Sequence, residues 1–458
     1  CPARLRPALL AIVSILFYAV SSAISAGVLL IAALAVFAVA RYMDQMDTAS
    51  LQRRLIFTVA LVVLLAYLLF IKLLPDMLAA GTVPSSFTHT FLALGVSYYT
   101  FKLMGYLIDV YWRKYPAWSS PVEFVAFASF FPQLPAGPIQ RANEFKLPRS
   151  SIETSALMRA GLRRILLGIV KKTVLADQLA SIISYIDGMQ PHYSNMLWFA
   201  AILYALELYF DFAALTDIAV GTAGLFGIRS PENFAHPYFA PSISQFWRRW
   251  HMSLTFWLTD YVFTPLRMAT RNLGNWGLAL SITANMVLIG LWHGINIGFL
   301  LFGVIQSIYL MVDSFTSAAR KRFYRKHRWA DVLTNLIGPF FVFLMIAFTL
   351  VFFRAGSFVN ISYELRHLWD GLESPVASVT RVYYGFGRMH FGLTGIAVTA
   401  ALVLELCSYL RAQQSRVVAF LPSFSSLPLA MRWAVYYAAL ATVITLHQQS
   451  THFIYVQF

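Results

Sequence analysis

The chain has 458 residues, of which 59% are hydrophobic, 16% aromatic and only 12% charged. Soluble proteins carry about 25% charged residues, so no surface of ordinary polarity can be built here and the chain belongs in a bilayer. That excludes a secreted domain, a soluble dinucleotide-binding enzyme and a disordered tail, and the long continuous apolar runs exclude an outer-membrane barrel. Spans of about 20 residues leave room for about ten or eleven helices. The net charge of +15 reads as basic cytoplasmic loops facing anionic headgroups, not as nucleic-acid contact. Cys1 and Cys407 give neither a disulfide framework nor a zinc spacing, and no metal is expected.

The chain opens on Cys1 instead of Met, which points to a trimmed or incomplete start; nothing else supports a lipidated N-terminus. Arg4 and Arg6 before an apolar run to Val20 imitate a signal peptide. A second apolar run follows at once, so an uncleaved helical hairpin is expected. Apolar runs lie at 8–23, 26–40, 55–74, 87–110, 165–186, 196–226, 333–353, 391–410 and 431–449. Two further stretches, 121–137 and 277–312, do not fit a single span.

Basic clusters supply the sidedness. Arg41, Arg53 and Arg54 follow the first hairpin, and Arg113 and Lys114 follow the run ending near 110. The block from Arg141 to Lys172 follows 121–137, and the block Arg320–Arg328 follows 277–312. If all are cytoplasmic, 121–137 cannot cross. Pro132, Pro135 and Pro138 would break a helix there, so a re-entrant segment buried in protein is expected. The same parity makes 277–312 go in and come back as a broken hairpin, with His293 near its turn, inside the membrane. Gly290, Gly294 and Gly298 permit the bend or a close helix approach. The stretch 354–390 is then external.

Residues 228–276 are too polar to span and too patterned for a plain loop. Ile243, Phe246, Trp247, Trp250, Leu254, Trp257, Leu258 and Tyr261 follow helical spacing, and Ser242 with Gln245 forms a capping box. The pattern predicts one amphipathic interfacial helix over 242–261, with His251 on the edge of its apolar side and facing inward. No internal repeat is visible, and 1–458 reads as a single domain. The fold class is all-α, a polytopic membrane bundle of about 11 spans with re-entrant and interfacial helices.

Walker, nucleophile-elbow and H-E-x-x-H motifs are absent. Gly385-x-Gly387 begins a dinucleotide fingerprint, but His390 takes the third glycine's place. A histidine inside a membrane span is expensive and points to function, or else to an imidazole bonded across helices. Beside His293, Trp292 and the glycines allow a flat substrate to approach, and an imidazole titrates where it can accept a hydroxyl proton. His251, read alone, suits packing as well as chemistry. Glu207, Asp211 and Asp217 on the 196–226 run suit structural pairing with arginines better than catalysis.

FWRRWHMSLTFWLTDYVFTPL followed by LIGLWHG resembles the membrane-bound O-acyltransferase family, in the branch of alginate and peptidoglycan O-acetylation proteins and the teichoic acid D-alanyl transfer protein. GVSYYTFKLMGYLIDVYWRK, FFPQLPAGPIQRANEF, ELYFDFAALTDIAVG, NFAHPY and the terminal FIYVQF are similar to that branch, in family order over about 95–458. The chain departs from it with RMATRN where a Gly-Gly-Asn run is usual, and with Ala213, Ala214 and Leu215 before Thr216. WHMSLTFW leans toward the D-alanyl members, while WRRW and PAGPI lean toward the acetylating ones.

The resemblance implies a helical bundle with a central tunnel in the bacterial inner membrane. It implies transfer of an acyl group, acetyl first, from acetyl-CoA or another acyl thioester (acyl-CoA or an acyl-carrier protein) on the cytoplasmic side. The acceptor would be an exported glycan or a periplasmic or extracellular partner protein; D-alanyl transfer from a carrier to teichoic acid is the alternative. The family's membrane histidine maps onto His293 and the W-R-R-W-H histidine onto His251. Trp247, Arg248, Arg249, Trp250, Trp292 and Asn296 are assigned to substrate binding, with the two arginines facing CoA phosphates. No tightly bound cofactor is expected. A transporter or glycan flippase without chemistry is the reading from another class.

Overall fold

The computed structural model describes residues 5–79, 95–147, 151–188, 196–414, 426–446 and 453. The described residues form helices and no β-strand. Eight of these helices are long and apolar enough to cross a membrane: Ala23–Asp44, Leu51–Leu74, Leu197–Leu225, Arg271–His293, Ile297–Lys326, Arg328–Ala355, Arg388–Ala412 and Leu429–Leu446. Arg6–Ser21 is apolar but shorter. Of the expected run at 87–110, residues 87–94 lie outside the described residues, as do Cys1, Arg4 and all of FIYVQF beyond Phe453.

The expected apolar run at 165–186 is corrected. Helix Ser151–Val170 passes through a π-helical stretch, Lys171–Ala176, into helix Asp177–Gly188. Lys172 and Asp177 on it are buried and charged, so it is not an uninterrupted apolar span.

Internal contacts group the chain into two compact units. The first comprises Cys1–Ile165, Thr216–Glu232 and Trp257–Tyr261; the second comprises Leu166–Leu215, Asn233–Phe256 and Val262–Phe458.

In the first unit, helix Val96–Tyr111 is buried along almost its whole length and packs on Ala23–Asp44 and Leu51–Ala79. Arg53, one of the basic residues that follow the first hairpin, is buried. Its guanidinium donates to the carbonyls of Met43 at 3.2 Å, Val110 at 3.3 Å and Tyr111 at 2.7 Å. Those carbonyls close two helices, where unsatisfied acceptors and the helix dipole both favour a cation. Arg113 pairs with Asp44 at 3.2 Å, so residues 41–54 and 111–114 share one end of the unit. The Lys114 ammonium lies 5.0 Å and the Arg141 guanidinium 4.3 Å from the centre of the same Tyr261 ring. The chain between them therefore leaves from and returns to one end, as the charge parity requires.

That returning segment is a short helix, Pro121–Ala128, capped by Ser120 and followed by turns. Irregular backbone is tolerated away from water only when its polar groups are satisfied internally. Lys102 Nζ donates to Gln133 Oε1 at 3.0 Å and to the Phe127 carbonyl. Gln133 Nε2 donates to Gln140 Oε1 and to Ser230 Oγ, each at 2.7 Å. Gly95 (φ 80°) meets the turn so closely that a Cβ there would sit 1.9 Å from the Leu134 carbonyl oxygen.

In the second unit, Gly274–His293 and Ile297–Lys326 form a tight hairpin. A Cβ on Gly290 would sit 2.2 Å from the Phe299 carbonyl oxygen, and one on Gly303 2.7 Å from that of Met286. Gly298 approaches the Phe352 carbonyl in the same way, bringing in helix Arg328–Ala355. Small residues let membrane helices gain dispersion contacts that lipid would otherwise supply. The two arms are each of spanning length by composition, longer than the two short passes that 277–312 alone suggested. Several charges of this unit are paired: Lys172 with Asp177 at 2.9 Å and Asp211 at 2.8 Å, and Arg354 with Asp187 at 3.2 Å and Glu364 at 3.1 Å.

Gly290→Val is expected to destabilise the protein by about 1–3 kcal/mol through overpacking. Thermal unfolding in detergent checks it, with Gly392→Ala, whose added methyl meets nothing within 4 Å, as the neutral control.

Candidate active site

The single amphipathic helix expected over 242–261 is corrected: it is broken. Ser242 does cap its start, accepting the Gln245 N–H at 3.3 Å, but the helix Ile243–Trp247 ends after five residues. Helix Met252–Leu258 begins afresh, followed by a π-helical stretch and helix Thr264–Ala269. His251 lies at the junction with φ 43°, the left-handed region that side chains other than glycine seldom adopt. The reason is a contact distant in sequence. The carbonyl of buried Asn233 accepts the Met252 N–H at 2.9 Å, and Asn233 Oδ1 accepts Ser253 Oγ–H at 2.6 Å. Ala235 N–H donates to the Arg249 carbonyl at 3.1 Å. The NFAHPY stretch thus clamps the W-R-R-W-H bend.

The bend turns His251 inward, where 2% of it is exposed; its ring lies edge-on to Phe212 at 4.7 Å and to Trp292 at 5.4 Å between centres. His293, the last residue of Gly274–His293, is 5% exposed and lies edge-on to Trp292 at 4.8 Å and to Phe353 at 4.9 Å. The Trp292 indole therefore bridges the two imidazoles. Both histidines line one cavity of about 20 Å³, with Trp247 and Trp250. Its other walls are Leu208, Phe246, Leu254, Ile289, Phe302, Ile346, Leu350 and Phe353. That volume holds about one water.

The remaining sequence-derived residues separate. Arg248 is exposed and lines a second, polar pocket of about 580 Å³ with Gln245, Asp313, Ser317, Arg320, Lys321 and Tyr324, among others. Asp313 Oδ2 accepts the Ser244 N–H at 2.9 Å and pairs with Arg320. Helix Ile243–Trp247 thus shows Phe246 and Trp247 to the apolar cavity and Ser244 and Gln245 to the polar pocket. Arg249 is turned to Gln245 Oε1 at 2.9 Å and stacks 5.3 Å from the Tyr409 ring, away from both spaces. Asn296 caps Ile297–Lys326, its Oδ1 accepting the Phe299 N–H at 2.9 Å. Of the three acids, Asp211 pairs with Lys172 and Asp217 with Arg164, each at 2.8 Å, so one of the expected arginine partners is a lysine; Glu207 is buried as well.

Gln306, Phe212, Phe353 and Asn233 were not singled out by sequence. Gln306 is wholly buried and accepts the Trp247 Nε1–H at 3.0 Å. A lone amide in the apolar run 297–312 was a visible signal for it; the phenylalanines had none.

Fold and site together define a multi-pass helical membrane protein with two buried histidines facing one small apolar chamber. The model of the membrane-bound O-acyltransferase family matches residues 10–354, and the chain belongs to that family. The match begins and ends earlier than the 95–458 span of the sequence resemblance. The chain is 34% identical over 284 residues to the probable alginate O-acetylase AlgI of Pseudomonas fluorescens, covering 61% of this chain and 54% of that protein. It is 30% identical over 300 residues to the peptidoglycan O-acetyltransferase of Helicobacter pylori (58% and 55%). Against the teichoic acid D-alanyltransferase of Bacillus subtilis it is 29% identical over 270 residues (54% and 66%). The chain spans about half the length of the curated relatives it matches first.

Burial pushes the His251 imidazole down to about 3 from its ordinary 6.5. It is therefore neutral near pH 7, able to donate one N–H and accept at the other nitrogen. As pH falls below about 6.5 the unfolded chain takes up this proton first, so His251 destabilises the folded protein progressively toward pH 3. His251→Asn is expected to lose less stability than wild type between pH 7 and pH 5, measured by thermal unfolding in one detergent.

Proposed function

We propose that the protein is an O-acyltransferase of the bacterial cytoplasmic membrane. It moves a short acyl group, acetyl first, from a cytosolic thioester to a hydroxyl of an exported cell-surface glycan or of a periplasmic partner protein. The observation that carries this reading is the single chamber lined by His251 and His293 and bridged by Trp292.

The chemistry follows from the residues. The acceptor oxygen attacks the thioester carbonyl while His293 takes the hydroxyl proton as general base. The neutral His251 donates its N–H to the carbonyl oxygen, where negative charge develops. The C–O bond forms, the C–S bond breaks, and the proton held by His293 returns to the departing thiolate. No serine or cysteine lines the chamber, which favours direct transfer over an acyl-enzyme route.

The donor side is supported by the polar pocket on the opposite face of helix Ile243–Trp247, where Arg248 and Lys321 offer cations to the phosphates of CoA or of a carrier's phosphopantetheine. Acetyl is favoured over D-alanyl by the lining of the chamber. Two neutral-capable histidines and ten apolar side chains offer no carboxylate to an ammonium, and an unpaired buried charge is strongly disfavoured.

The test is consumption of labelled acetyl-CoA by purified protein in nanodiscs. His293→Ala is expected to lower turnover by about 10²-fold or more. Undiminished turnover in a folded His293→Ala protein, or none in wild type, would sink the assignment. Arg248→Ala is expected to raise KM for acetyl-CoA about tenfold with little change in kcat, the signature of a lost phosphate contact.

A further inference from the structure

The histidine chamber is small because of what stands behind it. Trp247 forms its back wall, edge-on to Phe302 at 6.3 Å; Phe302 in turn lies edge-on to Phe353 at 5.4 Å, the ring that contacts His293. This wall is held by more than packing. Trp247 Nε1–H donates to Gln306 Oε1 at 3.0 Å. Gln306 Nε2–H donates to Thr349 Oγ1 at 2.8 Å, and the Thr349 hydroxyl donates to the Ile346 carbonyl at 2.9 Å. The chain of hydrogen bonds crosses three elements, Ile243–Trp247, Ile297–Lys326 and Arg328–Ala355, and its middle members, Gln306 and Thr349, are both wholly buried.

A glutamine buried in a membrane-spanning helix is costly unless both ends of its amide are bonded. Here both are. Leucine would pack in the same volume without that desolvation, but it would leave the indole N–H of Trp247 unsatisfied and the ring free to turn. The amide therefore fixes the orientation of one side chain, and that side chain bounds a space of about 20 Å³. Such a space takes the terminal methyl of an acetyl group in place of one water, and a longer chain would press on the Trp247 wall.

Building on the acyl-transfer reading, we propose that Trp247 sets the length of the acyl group the enzyme accepts, limiting it to two carbons. Gln306, with Thr349 behind it, is the positioning residue that holds the wall. A well-packed apolar pocket discriminates one methylene by about 10- to 200-fold.

The experiment measures kcat/KM of purified protein in nanodiscs for acetyl-, propionyl- and butyryl-CoA. Wild type is expected to favour acetyl over butyryl by at least about tenfold. Trp247→Ala and Leu350→Ala enlarge the chamber and are expected to shrink that preference about tenfold or reverse it; Leu350→Ala leaves the hydrogen-bond chain intact should Trp247→Ala fail to fold. Gln306→Leu and Thr349→Val are expected to shift the ratio in the same direction, while Thr349→Ser, which keeps the hydroxyl, retains the wild-type ratio. A merely structural role would lower all three rates together and leave their ratio fixed. Wild type that turns over acetyl and butyryl alike, or folded variants that keep its ratio, overturns this inference alone. Wild type that consumes none of the three overturns the transfer reading, and this inference with it.

Discussion

Everything at the site depends on the clamp that Asn233 places on the start of helix Met252–Leu258. In an unbroken helix His251 would lie one turn beyond Trp247 on the same stripe, and Arg248 and Arg249 would share the opposite side. The clamp stops the helix at Trp247 and forces His251 into the left-handed region, a conformation that disfavours non-glycine residues by about 1–3 kcal/mol. Bonds from Met252 and Ser253 to Asn233 hold it there. The result is a division of labour within a few residues. Trp247, Trp250 and His251 face the apolar chamber, Arg248 faces the polar pocket, and Arg249 braces the structure against Gln245 and Tyr409.

A low-dielectric interior makes polar groups rare and their pairing strict. The second unit follows that rule with Lys172 between two aspartates and with Arg354 between Asp187 and Glu364. Breaking such a pair from one side leaves an uncompensated charge, which is far worse than never having had the pair. The chamber obeys the same rule differently. It holds no fixed charge at all, only imidazoles, one of which burial keeps neutral. In the proposed transfer, charge developing there would be felt strongly by any nearby dipole, because there is room for only about one water to screen it.

Much of this was legible in the sequence, for identifiable reasons. The bilayer followed from composition, and the return of 121–137 followed from charge parity; Lys114 and Arg141 meeting on Tyr261 show why parity works, since basic groups collect at one end. His293 and His251 stood out because polar residues are conspicuous among apolar ones. The helix break did not. Ile243, Phe246, Trp247, Trp250 and Leu254 keep helical spacing straight through it, and its cause is a residue eighteen positions upstream of the bend's histidine. Phe212 and Phe353 were invisible for another reason: in composition nothing separates them from the exposed Phe340 and Phe341. The burial of Arg53 was not legible, because nothing in the sequence shows the three carbonyls that converge on it from two helix ends.

If the proposed transfer takes place here, the smallness of the chamber bears on selectivity between nucleophiles as well as between donors. Water is present at far higher concentration than any glycan hydroxyl, and an activated thioester beside a basic imidazole is open to hydrolysis. A cavity with room for about one water resolves that competition by geometry. In the proposed transfer, an acyl methyl in that space would take the place of the one water it can hold. On the proposed transfer reading, keeping water out of that space would spare a bound thioester from hydrolysis until the acceptor hydroxyl arrives, a control of timing as much as of fit.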